Sequence, residues 1–355
     1  MGKIFRLSIL TAILGIASFS CKKTENTSEP TIIVSTLAGT GTVGFADGVG
    51  MTAQFNRPQG VAVDASGNVF VADHDNHRIR KITSSGVVST FAGSEMGFVD
   101  GAGAIAQFVL PVGVAVDASG NVYVADMGNN RIRKITSTGL VSTLAGSEAG
   151  FADGEGAKAQ FRQPFGVAVD FLGNVYVGDW VNHRIRKITP AGMVSSLAGS
   201  GAEGFADGVG AAAQFNFPQG VAVDASGNVY VADFNNHRIR KITPAGMVST
   251  LAGSGIEGFA DGASAAAQFR FPYDVAVDAK GNVYVADMNN ERIRRITPAG
   301  VVSTLAGSGT MGFADGLGAT AQFHTPVGVA VNASGNVVYV GDDSNHRVRM
   351  IIQEQ

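Results

Sequence analysis

Asp274 and His324 are the two side chains of this sequence that come nearest to forming a reactive pair. Carboxylate oxygens and imidazole nitrogens bind metal ions and move protons, and both residues lie close to a proline that recurs in every repeat of the chain. Asp274 also stands where the other five repeats have glycine. A third convergent ligand cannot be assembled, nor can a nucleophile paired with a base. We therefore predict no catalytic residue and no metal-binding residue, with calcium or zinc as the alternative cofactor.

A second group of side chains would suit a ligand that has both polar and apolar surface. Aromatic residues, arginines and amides that differ between repeats stand near the same prolines, and Trp180 is the only tryptophan. Such mixtures are typical of sites for peptides or sugars. The candidate ligand-binding residues are Gln59, Arg162, Trp180, Gln219, Phe234, Arg270, Tyr273, Asp274 and His324. Drift between duplicated copies explains the same differences without any ligand.

The charges and histidines that do repeat have a structural interpretation. Four histidines occupy equivalent positions in a unit that the chain repeats six times, and a ring of six such units would hold them far apart. We therefore expect these histidines to form structural hydrogen bonds and not to share a metal ion. The aspartates of the repeated GFADG segment lack a DxDxDG-type run, which favours turn capping over calcium binding. The arginines and lysines of RIRK should pair with repeated aspartates. A net charge of -3 adds no global attraction to nucleic acid.

All of these side chains belong to a unit that occurs six times. A phenylalanine, two spacers and a proline recur every 53 or 54 residues. One copy reads GVAVD at 220–224, NVYVAD at 228–233, RIRKIT at 238–243 and MVSTLAG at 247–253. Short β-favouring runs between turn residues at so long a period are typical of propeller blades. The sequence therefore predicts an all-β, six-bladed β-propeller of four-stranded blades.

The two ends of the chain predict how the ring is completed. The last copy stops after its third strand, whereas IIVSTLAG at 32–39 matches the fourth strand without a preceding three. We expect the N-terminal strand to complete the C-terminal blade and to close the ring with backbone hydrogen bonds.

The predicted propeller has two unlike faces. The long-loop face carries the loops between second and third strands and the segments of about nineteen residues between blades, such as 200–218. The short-turn face carries tight turns that are nearly identical between copies, such as 225–228. Long loops usually carry function. We therefore expect the ligand on the long-loop face and interpret the short-turn face as structural.

The repeated unit resembles the NHL repeat family. The resemblance lies in PxGVAVDxxGNVYVAD followed by NHRIRKI, found at 58–73 with 76–82 and in five further copies. It implies the six-bladed fold, and it says little about function because propellers include enzymes, binders and scaffolds. Similar propellers include gluconolactonase-like hydrolases and peptide-amidating lyases with a metal at the channel mouth, so a metal-dependent enzyme is the alternative function. RNA binding, known for some NHL domains, is a further alternative, although we expect no nucleic acid partner.

The first thirty residues indicate export. Lys3 and Arg6 precede an apolar run from 7 to 16 that is too short to span a bilayer, which is the layout of a secretory signal. Cys21 is the only cysteine, and its setting resembles the lipidation site of bacterial lipoproteins. We predict a signal peptide at 1–20, a polar tether at 21–30 after lipidated Cys21, and the propeller at 31–355. The alternative is an ordinary secretory signal with an incidental thiol.

These observations favour a binding or scaffold protein anchored in the cell envelope. Its partner would be a protein, peptide or carbohydrate, and its membrane contact would be the lipid anchor alone.

Overall fold

The computed structural model describes residues 1–3 and 30–354. The predicted signal peptide beyond residue 3 and the tether as far as residue 29, with Cys21, lie outside the described residues. Residues 31–354 form six antiparallel sheets, and each sheet is one blade of a propeller. Blades are numbered 1 to 6 in the chain order of their innermost strands. Within the described residues, no helix has the length and apolar character needed to cross a bilayer.

The innermost strand of each blade begins at the recurring proline, whose missing N–H suits the first residue of a strand. Inner strands are Pro58–Val63, Pro111–Val116, Pro164–Val169, Pro218–Val223, Pro272–Val277 and Pro326–Val331. Second strands are Val69–Asp73, Val122–Asp126, Val175–Asp179, Val229–Asp233, Val283–Asp287 and Val337–Asp342. Third strands are Arg78–Ile82, Arg131–Ile135, Arg184–Ile188, Arg238–Ile242, Arg292–Ile296 and Arg347–Glu354. Fourth strands are Val87–Ala92, Leu140–Ala145, Met193–Ala198, Met247–Ala252, Val301–Ala306 and, for blade 6, Thr31–Ala38.

Each blade has five strands, so the prediction of four is wrong by one. The additional strands are Gly48–Val49, Gly101–Ala102, Gly154–Glu155, Gly208–Val209, Gly262–Ala263 and Gly316–Leu317. Each pairs with a fourth strand at the outer edge of its own blade, as Gly48 does with Val88. A ladder of two residues is too short to show in hydrophobic periodicity, so the sequence predicts a loop there.

The N-terminal strand Thr31–Ala38 pairs antiparallel with Arg347–Glu354, the last strand of the described chain. The register runs from Thr31 opposite Glu354 to Ala38 opposite Val348, with one irregularity near its end. Val34 of the N-terminal strand is buried in the core between blades 5 and 6.

Short 3₁₀ helices occupy two loop positions. One set follows the second strand: His74–Asn76, Met127–Asn129, Trp180–Asn182, Phe234–Asn236, Met288–Asn290 and Asp343–Asn345. The other lies between the outer-edge strand and the inner strand of three blades: Gly50–Thr52, Gly156–Lys158 and Gly210–Ala212.

The hydrophobic core lies between neighbouring blades. Second strands are buried along their whole length in blades 1 to 5, and from Val338 onward in blade 6, because a neighbouring blade covers each face. Between blades 1 and 2, for example, Phe70 and Ala72 pack with Phe108 and Val124. The phenylalanine three residues before each proline is fully buried in this way.

One arginine of each third strand forms a buried clamp. Arg240 is fully buried, its Nη1 donates to Asp233 at 2.6 Å, and its Nη2 donates to Asp207 of the GFADG segment at 2.6 Å. Equivalent pairs occur in all six blades. The prediction that repeated charges pair with repeated aspartates is confirmed for this arginine, whereas the first arginine of RIRK donates to backbone carbonyl oxygens, as Arg238 does to Asn236 and Ser254. The prediction for GFADG needs correction, because Asp207 binds the arginine and Thr250 of a neighbouring strand and does not merely cap its own turn.

Neighbouring blades are joined by a hook on the long-loop face. The residue after each 3₁₀ helix that follows a second strand has a left-handed backbone, and its side chain accepts the backbone N–H of the residue that precedes the next blade's proline. His183 Nδ1, for example, accepts from Phe217 at 3.2 Å. Asn130 and Glu291 do the same in the two repeats that lack histidine. The prediction of structural hydrogen bonding by these histidines is confirmed.

Candidate functional site

Three residues from each blade surround the long-loop end of the central channel. They are the residue before the recurring proline, the residue after it, and the residue that follows the aspartate at the end of the second strand. The residue before the proline has a φ near +50°, which for a non-glycine residue needs support from its surroundings, and the hook to its N–H provides it. The framework therefore repeats, while the side chains at these positions differ from blade to blade.

Aromatic side chains from blades 3, 4 and 5 form a continuous arc. Trp180 contacts Phe165 and Phe217, with ring centroids 5.7 and 5.5 Å apart. Phe234 contacts Tyr273 at 6.1 Å and a further phenylalanine of blade 5 at 5.0 Å. Tilted and edge-to-face contacts at these distances are favourable. We call this set the aromatic arc: Phe165, Trp180, Phe217, Phe234, Phe271 and Tyr273.

Polar side chains from blades 6 and 1 lie across from the arc. Arg57 Nε donates to Oδ2 of Asp343 at 3.1 Å, which joins the two blades. Asp343 is fully buried, and its Oδ1 has no hydrogen-bond partner within the described chain. His74 lies close by, with Nδ1 3.1 Å from the carbonyl oxygen of Pro111, and burial lowers the pKa of its imidazole. We call Arg57, His74 and Asp343 the polar arc.

The side chains of Gln59, Phe165 and Tyr273 close the long-loop end of the channel between the two arcs, and we call them the plug. The Tyr273 hydroxyl donates to Oε1 of Gln59 at 3.0 Å, and the Tyr273 ring packs on Phe165 with centroids 5.0 Å apart. The residues after the proline in the other five blades are at most 6% exposed. Gln219 Oε1 and Trp180 Nε1 are buried without a hydrogen-bond partner in the described part of the protein, so each can still serve a ligand or a water molecule.

Asp274 lies in the channel beneath the plug. Adjacent inner strands approach so closely that a Cβ at Gly60, Gly113, Gly166 or Gly328 would collide with the backbone of the next blade. Asp274 occupies the corresponding place in blade 5, where it pairs with Ala286 in a register that blades 1 to 4 lack. Its Oδ1 accepts the N–H of Val275 at 2.9 Å, and its Oδ2 accepts the N–H of Val329 in blade 6 at 3.1 Å. Burial nevertheless raises the pKa of the carboxyl group to about 7.

The structure brings together most of the residues that the sequence analysis nominated. Gln59, Tyr273, Phe234 and Trp180 belong to the plug or the aromatic arc. Gln219 is buried beside them, one residue before the glycine that packs against the Asp274 carboxylate.

Three nominated residues lie apart, each two positions before a proline. Arg162 is exposed, and Arg270 pairs with the half-exposed Glu257 at 2.7 Å. His324 is half-buried and close enough to Glu291 to lower the pKa of that carboxyl, although burial leaves the pKa raised overall. Their common feature is a backbone N–H that donates to the aspartate of the second strand.

The residues directly before the prolines escaped the sequence analysis. Phe217 and Phe271 complete the aromatic arc, and Arg57 supplies the cation of the polar arc. A signal was present, because this position changes in every copy except for one repeated phenylalanine. Its occupants are Arg57, Leu110, Gln163, Phe217, Phe271 and Thr325.

The described residues contain no group of three or more histidine, cysteine, aspartate or glutamate side chains placed to hold a metal ion.

The repeats match the family model of the NHL repeat at residues 55–82, 108–135, 161–188, 215–242, 269–296 and 323–349. The chain therefore belongs to the NHL repeat family and carries six repeats in a six-bladed β-propeller.

Curated relatives share the repeat and are longer proteins. The chain is 33% identical over 281 residues to the chloroplast protein SUPPRESSOR OF QUENCHING 1 of Arabidopsis thaliana, covering 73% of this chain and 27% of that protein. It is 29% identical over 335 residues to NHL repeat-containing protein 2 of Gallus gallus, covering 83% of this chain and 46% of that protein. The chain thus spans less than half the length of these relatives.

Solved structures share the fold at low sequence identity. A protein of unknown function from Bacteroides thetaiotaomicron superposes with a TM-score of 0.71 at 22% identity, covering 92% of this chain and 77% of that chain. An auxiliary nutrient binding protein from the same organism gives 0.69 at 18%, covering 92% and 78%. A gluconolactonase from Xanthomonas campestris gives 0.60 at 13%, covering 92% and 96%.

Proposed function

We propose that the protein is a binding protein of the cell envelope that captures a peptide, a sugar or a protein segment on its long-loop face. The observation that carries this proposal is that an aromatic arc and a polar arc lie opposite each other around the long-loop end of the channel. Both arcs occupy positions that the repeat holds in place but does not conserve between copies. A ring framework with individual side chains is well suited to recognising one ligand.

The chemistry of the two arcs defines the ligand. Aromatic rings such as Trp180 and Phe234 stack on the apolar faces of sugars and on peptide side chains, and aromatic anchors dominate many binding sites. Arg57 and His74 offer a cation and a hydrogen-bonding imidazole to the polar groups of the same ligand. Recognition by a propeller has a parallel in the similar fold of the nutrient binding protein from Bacteroides thetaiotaomicron.

The test uses Trp180 as an internal probe, because it is the only tryptophan and lies in the aromatic arc. Envelope oligosaccharides and peptides are titrated against the mature protein while tryptophan emission is recorded. We expect a saturable change that Phe234→Ala weakens and that Phe171→Ala, on the exposed surface of a short turn, leaves unaltered. Saturable binding that is identical in both variants, or no response across the panel, would contradict the proposal.

The alternative is a metal-dependent hydrolase or lyase. This alternative rests on the similar fold of the gluconolactonase from Xanthomonas campestris. Metal analysis of the purified protein discriminates between the two functions. Stoichiometric calcium or zinc, together with turnover of a lactone that is lost on chelation, would replace the binding function.

The envelope location rests on Cys21 and the sequence before it. In our proposal, cleavage before Cys21 and acylation of its thiol anchor the propeller to a bacterial membrane through residues 21–30. Metabolic labelling with a fatty acid should mark the wild-type protein and fail to mark Cys21→Ser. Absence of label on the wild type would leave an ordinary secreted protein.

Closure of the ring is part of the same proposal. The pairing of Thr31–Ala38 with Arg347–Glu354 would hold blade 6 against blade 1 and keep the channel mouth in one shape.

A further inference from the structure

The two ends of the central channel differ in access. At the long-loop end, the residues Gln59, Val112, Phe165, Gln219 and Val327 are nearly inaccessible to solvent. At the short-turn end, the last valine of every inner strand is partly exposed, as for Val63 and Val223. The space between has an empty volume of about 850 Å³, part of it open to solvent. The channel is therefore a pocket with its mouth on the short-turn face and its floor at the plug.

The wall of this pocket is polar because of its backbone. Each inner strand is the terminal strand of its sheet, so it pairs on one side and presents its other edge to the channel. The N–H and C=O groups of such an edge are free to bind other partners. The lining side chains are glycine, alanine, valine, Phe165, Tyr273 and Asp274. Backbone hydrogen-bond donors and acceptors thus surround an otherwise apolar space.

Asp274 is the one charged side chain among the described residues that line the pocket. The groups that face it are the N–H groups of Val275 and Val329, the backbone of Gly220, and the neighbouring Tyr273, whose pKa burial raises above its usual value. The buried aspartates that end the second strands each have an arginine partner, as Asp233 has Arg240, whereas Asp274 lies on an inner strand and forms no ion pair with a described residue. A carboxylate in low-dielectric surroundings without a cationic side chain is complementary to a cation from outside.

We propose that the channel is a second binding site, entered from the short-turn face, for a primary ammonium group on a short apolar chain, with the nitrogen bound by Asp274. The ammonium group donates three hydrogen bonds. One reaches the Asp274 carboxylate, and the others reach backbone carbonyl oxygens of the inner strands. The alkyl chain lies along the valines and alanines of the wall. This site goes beyond the proposed function, because the Tyr273 and Phe165 side chains separate it from the long-loop face.

The lining argues against other occupants. Calcium takes six to eight oxygen ligands that usually include several carboxylates, whereas this wall provides one. An anion would be repelled by Asp274 once the carboxyl is ionised. A neutral alcohol of the same size would fill the space and leave the charge of Asp274 unpaired.

The repeat itself provides the matched variant. Asp274→Gly installs the residue that the other five blades have at this position, so the ring of close approaches is preserved. Asp274→Asn keeps the size of the side chain and removes its charge. Circular dichroism and thermal melting of both variants establish that they fold before binding is measured.

The experiment titrates n-butylammonium, 1-butanol and butyrate separately into the wild type and both variants at pH 8, with heat of binding as the readout. We expect saturable binding of n-butylammonium to the wild type, weaker by about tenfold or more in both variants, and no saturation by 1-butanol or butyrate. Equal affinity in wild type and Asp274→Asn, or no saturable binding to the wild type, would overturn the proposal. Stoichiometric calcium binding that Asp274→Asn abolishes would overturn it in favour of a metal site.

Failure here is distinguishable from failure of the proposed function. Titration of the long-loop face is followed through Trp180, whereas binding to Asp274 is followed by heat and by substitution of Asp274. A positive result in one experiment with a negative result in the other identifies which of the two sites exists.

Discussion

The hydroxyl group of Tyr273 donates a hydrogen bond to Oε1 of Gln59 at 3.0 Å, so blade 5 is linked to blade 1 past the whole width of blade 6. Blades that are two places apart in a ring do not share a core. This single bond, together with the contact of Tyr273 with Phe165 of blade 3, makes the plug a bridge over the channel. The long-loop end of the channel is therefore closed by side chains of blades 1, 3 and 5, and only blade 5 provides the tyrosine.

Removal of that hydroxyl should destabilise the protein by leaving Gln59 unpaired. Gln59 is 4% exposed, and a buried amide without its partner costs about 1–3 kcal/mol. We expect Tyr273→Phe to lower the free energy of unfolding in urea by that amount. The control adds Gln59→Val, the residue found at the same place in blades 2 and 6, and should recover most of the loss. An unchanged stability in the single variant would show that the bond contributes nothing.

The carboxyl group of Asp274 should make stability depend on pH between about 4 and 7. Burial raises its pKa in the folded protein to about 7, above the ordinary value of about 4. The folded state therefore holds the proton more tightly, and the stabilisation present at low pH is lost as the pH rises through 7. Relative to Asp274→Gly, we expect wild-type stability to fall by up to about 1.4 kcal/mol per pH unit in this range. If the difference in stability between the wild type and Asp274→Gly is the same at pH 5 and at pH 8, this assignment is wrong.

Protonation of the hook histidines should weaken the junctions between blades. Burial lowers the pKa of His77, His183, His237 and His346, and each Nδ1 accepts a backbone N–H from the next blade. Their contribution is therefore present above the ordinary pKa of about 6.5 and is lost as the pH falls.

The matched variant replaces all four histidines with asparagine, because Asn130 already makes the same bond at 2.9 Å. We expect the variant to melt near the wild-type temperature at pH 8 and to lose less stability than the wild type at pH 5. If the two proteins show the same acid sensitivity, the hooks do not titrate as assigned.

The two ion pairs of an arginine clamp should contribute very differently to the free energy of unfolding. Arg240→Met leaves Asp233 charged and fully buried, which costs about 3–5 kcal/mol. Asp207→Asn removes a partner whose side chain is 48% exposed, and surface ion pairs contribute about 0–1 kcal/mol. Urea unfolding of the two variants measures both costs. Similar losses in the two variants would mean that burial does not govern the clamp.

The proposed closure of the ring predicts a large effect of deleting residues 31–38. The deletion removes eight residues, seven of which pair with Arg347–Glu354 and one of which is the buried Val34. We expect the melting temperature to fall by roughly 10 °C or more. Thr31→Ala, at an exposed position of the same strand, serves as the control and should melt like the wild type. A deletion variant with an unchanged melting temperature would show that the ring holds without this strand.

The repeat made the fold predictable and concealed part of the site. Strand identities and the buried phenylalanines follow from apolar runs and turn residues that recur six times, whereas the two-residue strand Gly48–Val49 leaves no such pattern. Asp274 could be singled out because five glycines stand at its place. The bond between Tyr273 and Gln59 could not, because it joins residues 214 positions apart in blades that are not neighbours.

Closeness to the recurring proline in the sequence is not enough to identify a ligand-binding residue. Arg162 and Arg270 stand only one position farther from the recurring proline than Phe217 does. The backbone two positions before the proline is tied to the second-strand aspartate, however, while the position directly before the proline takes the left-handed conformation and supplies members of both arcs. A shift of one residue in the chain decides whether a side chain joins the arcs or lies apart from them.

The hooks have a consequence for how such a protein changes over time. Histidine, asparagine and glutamate all receive the same backbone N–H, and the donors include residues as different as Leu110, Phe271 and Thr325. A junction of this kind is indifferent to which copy lies on either side. The hooks therefore do not restrict which copies can stand next to each other, and an exchange of blades would keep these junctions while placing a new combination of side chains around the same opening.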